Sequence, residues 1–110
     1  MPLKNRNNLS AGVDYMLIGK ALIVISGKWR LYLILLVGEH TFRFGEIRQQ
    51  LPAISEKMLA AELKALVALG VLSRKASTDF PRRVAYTLSP TGLLALPLLR
   101  QLHKVGQLFI

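Results

Sequence analysis

The chain has 110 residues, the size of one domain, and carries a formal net charge of +9 from 15 basic and 6 acidic residues. So large an excess of positive charge on a small chain indicates an anionic partner, either a nucleic acid or a membrane surface. Cysteine is absent, which excludes disulfides, zinc–thiolate sites, thiolate catalysis and thiol-based redox sensing.

We expect no secretory signal in residues 1–10, because they are mostly polar and lack an apolar segment. The longest uncharged run, residues 84–99, contains Pro90 and Pro97 and is too short for a convincing membrane span. We therefore expect a cytoplasmic protein that does not enter a membrane. Residues 1–12 are expected to form a flexible arm, and the whole chain, residues 1–110, to make a single domain.

Two apolar helices are predicted next. Residues 13–26 contain few polar side chains, and Gly27 ends this segment. In residues 28–37 apolar side chains go almost all the way round a helix, so we expect this second helix, with Trp29, to form the core of the domain. Hydrophobic residues make up 52% of the chain, and this abundance indicates apolar surface that is buried against a partner.

The middle of the chain, from residue 42, predicts a short helix, a tight turn that contains Pro52, and a longer helix over residues 55–69. Ser55 is a favourable N-cap because its hydroxyl can accept a hydrogen bond from a backbone N–H of the first turn. Glu56 lies at the positive end of the helix, where a carboxylate is stabilising. Gly70 is predicted to end the helix as a left-handed residue.

The longer helix has two unlike sides. At about 100° per residue, one side carries Leu59, Leu63 and Leu66. The opposite side carries small and cationic residues, namely Lys57, Ala60, Ala61, Lys64 and Ala68. A helix that is packed through leucines and shows only such side chains outward can lie in the major groove of DNA. A solvated amphipathic helix is the alternative explanation of the same pattern.

Beyond Gly70 the spacing of apolar residues changes from that of a helix to that of a strand. Residues 71–77 predict a short strand, and Val84, Tyr86 and Leu88 alternate with polar or small residues as in a half-buried strand. The two strands form a β-hairpin whose flanks and tip carry Arg74, Lys75, Arg82 and Arg83. These cations either contact a nucleic acid or only discourage pairing at the edge of a sheet.

The last predicted helix begins at Ser89-Pro90, an N-cap followed by a proline in the first turn. It continues over residues 91–109, and Pro97 inside it predicts a bend. One side is apolar, formed by Leu94, Leu98, Leu102, Val105 and Phe109, and the other side carries Arg100, His103, Lys104 and Gln107. Together with residues 13–26, this helix presents more apolar surface than one small domain can bury, which predicts a homodimer.

Helix, helix, helix–turn–helix, basic hairpin and helix follow one another in the order of a winged-helix domain. In this order the sequence resembles the HxlR family of bacterial and archaeal winged-helix transcription regulators. The segments that carry the resemblance are GKW at 27–29, FRFGEIR at 42–48, LPAISEKML at 51–59, GVL at 70–72, PRRVAYTL at 81–88 and PTG at 90–92. Each segment alone is a weak match, but their order and spacing are specific and cover residues 14–106.

The resemblance implies a homodimer that binds operator DNA through the helix beginning at Ser55 and through the hairpin, or wing, with subunits joined by their first and last helices. Three departures from the family pattern matter. Many members carry a cysteine near the first helix that senses oxidants or electrophiles, and this chain has none. Ala53 stands where the family usually has glycine. Ala60 and Ala61 replace the usual threonine and glutamine, which removes side chains that could read bases.

Little in the sequence points to an enzyme. His40 and His103 have no metal-ligand spacing, the six acidic residues are scattered, and no glycine-rich phosphate-binding loop is present. We therefore expect no catalytic residue, no metal and no cofactor. A winged-helix module that binds RNA, or one that binds only another protein, stays open as an alternative. Phe80 is the only loop aromatic that could stack on an RNA base.

These patterns predict a mainly α-helical winged helix–turn–helix with a two-stranded β-hairpin wing, residues 71–88, and additional N- and C-terminal dimerisation helices. The predicted function is a sequence-specific regulator of transcription that binds double-stranded DNA as a homodimer, joined through residues 13–26 and 91–109. The residues expected to contact DNA are Ser55, Glu56, Lys57, Ala61 and Lys64 on the longer helix, Arg82 and Arg83 on the wing, and Arg43, Arg48 and Lys28 as phosphate contacts. The operator, the direction of regulation and a small-molecule effector are left open.

Overall fold

Five helices and three strands follow one another in the part of the chain that the structure, a computed structural model, describes: residues 12–78, 80–81 and 83–110. In chain order they are α1 (Tyr15–Ile25), α2 (Arg30–Val37), β1 (Phe42–Arg43), α3 (Phe44–Gln50), α4 (Glu56–Ala68), β2 (Leu72–Ala76), β3 (Val84–Leu88) and α5 (Pro90–Gln107). The fold is mainly helical with a small antiparallel sheet, as predicted. The predicted arm lies outside the described residues apart from Gly12, and Arg82 lies outside them as well.

Side-chain caps mark where α4 and α5 begin. Ser55 Oγ accepts a hydrogen bond from the backbone N–H of Met58 (3.0 Å), and Ser89 Oγ accepts one from the backbone N–H of Gly92 (2.9 Å). These bonds satisfy donors that a helix leaves free in its first turn, and they confirm both predicted caps. Gly70 follows α4 with a φ of +80°, the left-handed conformation predicted for it.

The hydrophobic core is built around α2 and α4. Its fully buried side chains come from α2, α3, α4, α5 and the turn before α4, namely Leu33, Ile34, Val37, Ile47, Ile54, Leu59, Leu63, Leu66 and Leu96. α2 therefore belongs to the core, as predicted, but it begins at Arg30 rather than at Lys28, and Tyr32 on its outer side is 60% exposed. Trp29 packs against the core and is only partly buried, because it precedes the first turn of the helix.

The sheet has three strands, one more than the two of the wing that the sequence predicted. β2 and β3 form the predicted hairpin. β1 adds a third strand, with Phe42 opposite Tyr86 and Arg43 opposite Ala85, so that the strand order is β1-β3-β2. Two residues are too few to show a period of two, which is why the sequence placed them at the start of the short helix.

The start of α5 is fixed to the junction between α4 and β2. The backbone N–H of Ser89 donates to the carbonyl of Val71 (2.9 Å), and the Ser89 hydroxyl donates to the carbonyl of Gly70 (2.7 Å). Three residues later, Gly92 approaches so closely that a Cβ at this position would lie 2.4 Å from the Val71 carbonyl oxygen. Only glycine fits this approach, so the helix packs directly against the backbone before β2.

Much of the apolar surface of α1 and α5 is left uncovered by the other described residues. α1 has no buried residue, and its exposed apolar side chains are Tyr15, Met16, Leu17, Ile18, Leu22 and Ile23. On α5, Leu94 and Leu98 are 79% and 73% exposed. These are the two helices for which the sequence predicted an excess of apolar surface. Neither they nor any other helix in the described ranges is long and apolar enough to cross a bilayer.

Candidate nucleic-acid interface

A short turn, residues 51–55, joins α3 and α4. Hydrogen bonds between backbone groups hold this turn. The N–H of Leu51 donates to the carbonyl of Ile47 (3.0 Å), and the N–H of Ile54 donates to the carbonyl of Leu51 (3.2 Å). The guanidinium of Arg48 donates to the Ile54 carbonyl. Because both isoleucines are buried, the turn holds the two helices in a fixed relation. Arg48 thus has a structural contact inside the turn, and its phosphate contact stays a prediction.

α4 presents the two sides that the sequence predicted. Leu59, Leu63 and Leu66 are completely buried against the core. The opposite side is exposed and carries Lys57, Ala60, Ala61, Lys64 and Ala68, with Ser55 and Glu56 also exposed where the helix begins. The structure therefore brings the five residues predicted on this helix to one surface. Its alanines are small, so the helix can approach another surface closely, with two cations available for contact.

An ion pair that the sequence did not predict connects α4 to α2. Glu62 Oε2 accepts a hydrogen bond from Arg30 Nε at 3.0 Å. A second guanidinium N–H of Arg30 donates to the carbonyl of Ile23 in α1 (2.8 Å). Arg30 thus connects α1, α2 and α4. The two charged residues are 32 positions apart, so no local pattern could have revealed the pair.

The cations of the wing lie around one face of the sheet. Arg43, Ala85 and Lys75 are opposite one another on β1, β3 and β2, so two exposed cations flank a small residue of the middle strand. With Arg83 and Phe80 of the loop between the strands, they line an open cleft of about 590 Å³. The structure therefore places Arg43 beside Arg83, both of which were predicted to contact DNA. It adds Lys75, which the sequence placed among the cations of the hairpin but not among the residues expected to contact DNA.

Lys28 lies apart from these two groups, between α1 and α2. Its Nζ is 5.1 Å from the centroid of the Trp29 ring, a distance typical of a cation–π contact. It also lines a cleft of about 320 Å³ with Leu102 and His103 of α5. No other predicted site residue shares this cleft within the described part of the chain, so its phosphate contact stays a prediction without support from a neighbour.

The carboxylates of the described residues leave the interface positively charged. Two of them form ion pairs, Glu62 with Arg30 and Glu39 with Arg100. In residues 12–78, 80–81 and 83–110, none forms an ion pair with a lysine of α4 or of the wing. Nor do acidic residues and histidines gather there in a group that could hold a metal ion. Among the described residues, cations therefore outnumber carboxylates on the exposed side of α4 and on this face of the sheet.

Comparison with known sequences identifies the family. A sequence model of the family described as HxlR-like helix-turn-helix matches residues 24–110. The chain is also 37% identical over 86 residues to the uncharacterized HTH-type transcriptional regulator YdzF of Bacillus subtilis (strain 168), a match that covers 77% of this chain and 79% of YdzF.

Solved structures agree with this assignment. The redox regulator HypR in its reduced form matches with a TM-score of 0.77 and 31% identity, over 82% of this chain and 89% of HypR. A protein from Enterococcus faecalis V583 described as a transcriptional regulator of the MarR family matches with a TM-score of 0.80 and 31% identity, over 93% of each chain. These matches confirm the predicted winged helix–turn–helix. The chain belongs to the HxlR-like helix-turn-helix family of transcriptional regulators.

Proposed function

We propose that this regulator is a homodimer that binds double-stranded operator DNA, with α4 in the major groove and the wing, residues 71–88, on the backbone or in the minor groove. The observation that carries the proposal is the exposed side of α4, where lysines and alanines lie opposite three buried leucines. The major groove of B-DNA, about 12 Å wide, admits an α-helix, and small outward side chains let it approach the bases.

The residues of α4 have different tasks in this arrangement. Lys57 and Lys64 are roughly two helical turns apart on the exposed side, so both face the same groove. A lysine there can donate to guanine O6 and N7 or to a phosphate. Ala61 lies between the two lysines, where its methyl group can contact the methyl group of a thymine. Glu56 is an acceptor for the amino group of cytosine, and Ser55 fixes the first turn that presents it.

The wing, together with Arg43 of β1, supplies the part of the binding that does not depend on DNA sequence. Arg43, Lys75 and Arg83 put three positive charges around one cleft, and Arg82 is predicted to add another. Contacts of such residues with phosphates position a protein on the duplex and release condensed counterions. The net charge of +9 favours the same encounter at longer range.

The exposed apolar sides of α1 and α5 support the homodimer. An apolar surface of this extent on a small domain is typical of a protein–protein interface. A two-fold axis at this surface relates the two copies of α4, which then reach successive major grooves about 34 Å apart. The operator is therefore expected to be a palindrome.

Phe80 favours a second candidate, which is RNA binding. Its side chain is 97% exposed beside the cations of the wing, and exposed aromatics next to cations stack on unpaired bases. A module that binds only another protein is the further alternative. Its support is the pair Ala60 and Ala61, which offer no hydrogen-bonding group to a base edge.

The test is a selection of bound fragments from random-sequence duplex DNA. Binding is then measured to the selected duplex, to a scrambled duplex and to single-stranded RNA of the same length. We expect an enriched palindrome whose affinity exceeds that of the scrambled duplex by about a thousandfold or more. Lys57→Ala should weaken this binding, whereas Lys104→Ala, which removes an exposed lysine of α5, should leave it unchanged. Tight RNA binding without an enriched duplex would favour the second candidate, and no binding to any nucleic acid would favour the protein module.

A further inference from the structure

A cleft beside α4 carries both apolar and cationic side chains. Its volume is about 400 Å³, and it is lined by Phe44, Ala60, Lys64, Val67, Arg74 and Tyr86. Positions 60, 64 and 67 form one stripe along α4, next to the stripe of buried leucines. Arg74 and Tyr86 are opposite each other on β2 and β3, so they lie on the same face of the sheet. The cleft is therefore formed between α4, the start of α3 and the hairpin.

The lining suits a small ligand that has a ring and one negative charge. Sites for small molecules are typically about 300–1,000 Å³, mostly apolar, with a few polar groups that fix the ligand. Phe44, Val67 and Tyr86 supply an apolar and aromatic wall, whereas Lys64 and Arg74 supply two positive charges. Neither cation forms an ion pair with a carboxylate of the described residues. A guanidinium binds a carboxylate through two parallel hydrogen bonds, which gives the charge a defined partner.

We propose that this cleft binds a small aromatic carboxylate as an effector that lowers the affinity of the protein for DNA. The ring lies against Phe44, Val67 and Tyr86, and the carboxylate lies between the Lys64 ammonium and the Arg74 guanidinium. An inorganic anion leaves the apolar wall unused, and a neutral ring leaves both charges without a partner. Binding of the ligand is independent of the proposed function, whereas its effect on DNA rests on that function.

Lys64 connects the cleft to DNA binding. Its side chain lines the cleft and also belongs to the exposed side of α4 that is proposed to face the major groove. A carboxylate bound to Lys64 therefore competes with DNA for the same charge. When two ligands exclude each other, each raises the apparent Kd of the other by a factor of one plus the ratio of its own free concentration to its own Kd. This gives a chain without cysteine a route to regulation by a metabolite.

Ala60 keeps the cleft open, because its methyl group is the smallest side chain that a non-glycine residue can place at the wall. The neighbouring Ala61 does not line the cleft. Ala60→Leu should therefore fill the site, and Ala61→Leu is the matched control with the same change in volume one position away. Arg74→Gln is a second variant that removes the guanidinium from an exposed position on β2, where the fold does not depend on it.

The binding step is tested without DNA, by calorimetric titration with benzoate, benzamide and acetate at constant ionic strength. We expect saturable binding of benzoate. Benzamide, which lacks the negative charge, and acetate, which lacks the ring, should each bind more weakly by about tenfold or more. Ala60→Leu and Arg74→Gln should each weaken benzoate binding by about tenfold or more, and Ala61→Leu should bind like the wild type. Circular dichroism confirms that each variant is folded. No saturable benzoate binding, equal binding of acetate, or unchanged binding by both cleft variants would overturn the proposal.

The effect on DNA is tested by replacing sodium chloride with sodium benzoate at fixed ionic strength. Benzoate at ten times its own Kd should weaken binding of wild type to the selected duplex by about tenfold, and acetate should have no such effect. In the Arg74→Gln protein, whose benzoate binding is weakened about tenfold, the same benzoate concentration should weaken DNA binding by only about twofold. Benzoate that binds but leaves DNA affinity unchanged would contradict the competition. If the wild type binds benzoate and binds no duplex at all, the proposed function fails while the binding site stands.

Discussion

The Nε atom of Arg30 lies 3.0 Å from Oε2 of Glu62, so α2 is bonded directly to the middle of α4. The same guanidinium donates to the Ile23 carbonyl of α1 at 2.8 Å. The two side chains are only 21% and 18% exposed, which shields their attraction from solvent and salt. Arg30 therefore couples the helix proposed to join the subunits with the helix proposed to lie in the major groove.

Arg30→Gln should destabilise the protein more than Glu62→Gln. The first change leaves a partly buried carboxylate without its partner, whereas the second still offers an acceptor to the guanidinium. We expect losses of about 2–4 kcal/mol and about 1–2 kcal/mol in the free energy of unfolding, measured with urea. A double-mutant cycle should give a coupling energy of about 1–3 kcal/mol.

The control for this pair is Glu39 with Arg100, whose side chains are 68% and 52% exposed. Solvent screens an exposed pair, so the same cycle should give less than about 1 kcal/mol there. Equal coupling energies for the two pairs would show that burial does not strengthen the contact of Arg30 with Glu62.

Gly92 and Gly106 lie in the same helix and should respond in opposite directions to alanine. A Cβ at position 92 would lie 2.4 Å from the Val71 carbonyl oxygen, and this backbone atom can move only with the chain before β2. We expect Gly92→Ala to cost about 2–3 kcal/mol in the free energy of unfolding. Among the described residues nothing lies within 4 Å of a Cβ at position 106, so Gly106→Ala should stabilise by about 0.5 kcal/mol. Destabilisation of similar size at both positions would argue against the close contact as the cause.

Substitutions in the wing and in α4 should affect DNA affinity differently, depending on the sequence of the duplex. Replacing Arg82 and Arg83 together by Ala should weaken binding to selected and scrambled duplexes by similar factors, because phosphate contacts carry no sequence information. The slope of log affinity against log salt should fall by about 0.9 for each lost contact. Lys57→Ala should cost about 1–3 kcal/mol on the selected duplex and less on the scrambled one. A salt series on both duplexes measures all three quantities.

Two outcomes of that salt series would change the roles proposed for these residues in DNA binding. Equal losses on both duplexes for Lys57→Ala would make Lys57 a phosphate contact. No effect from either the wing variant or the α4 variant would contradict DNA binding through this surface.

Leu98→Glu should separate the subunits. Leu98 is 73% exposed in the single chain, so the substitution leaves the core intact while it places a charge on the apolar side of α5. In sedimentation at micromolar concentration we expect the wild type as a dimer of the 12.3 kDa chain and the variant as a monomer. Gln101→Glu, which adds the same charge at an exposed polar position of α5, should remain dimeric. A wild type that sediments as a monomer would contradict the homodimer.

Thiol oxidants should leave DNA binding unchanged, because the chain contains no cysteine. Diamide treatment should therefore have no effect on affinity. Peroxide should act only slowly, through methionines such as Met58, which is 46% exposed on α4. Met58→Leu should remove part of that slow effect. A rapid loss of binding that dithiothreitol reverses would contradict this expectation.

Local patterns were enough to predict the helices and the two sides of α4. The spacing of Leu59, Leu63 and Leu66, the caps at Ser55 and Ser89 and the left-handed Gly70 involve only residues within one or two turns of each other. Helical hydrogen bonds and their caps are local, so the residues that decide them are adjacent in the chain. The family resemblance rested on such segments and is confirmed by the match over residues 24–110.

The residues of the candidate site likewise form two groups: those that local sequence could place on one surface, and those that only the fold brings together. Lys57, Ala61 and Lys64 share one helix, so the sequence alone could place them on one surface. Arg43 and Lys75 come together only through the strand order β1-β3-β2. The two residues of β1 become a strand because β3 lies beside them, and no periodicity within the segment could indicate it.

Contacts between distant segments were decided by the tertiary structure alone. The guanidinium of Arg48 bonds to the Ile54 carbonyl, and Glu62 pairs with Arg30 across 32 positions. The cleft between Lys64 and Arg74 likewise exists only because the hairpin packs beside α4. Such contacts depend on which apolar surfaces the whole domain buries together, and that choice is made by long-range packing and not by neighbours in the chain.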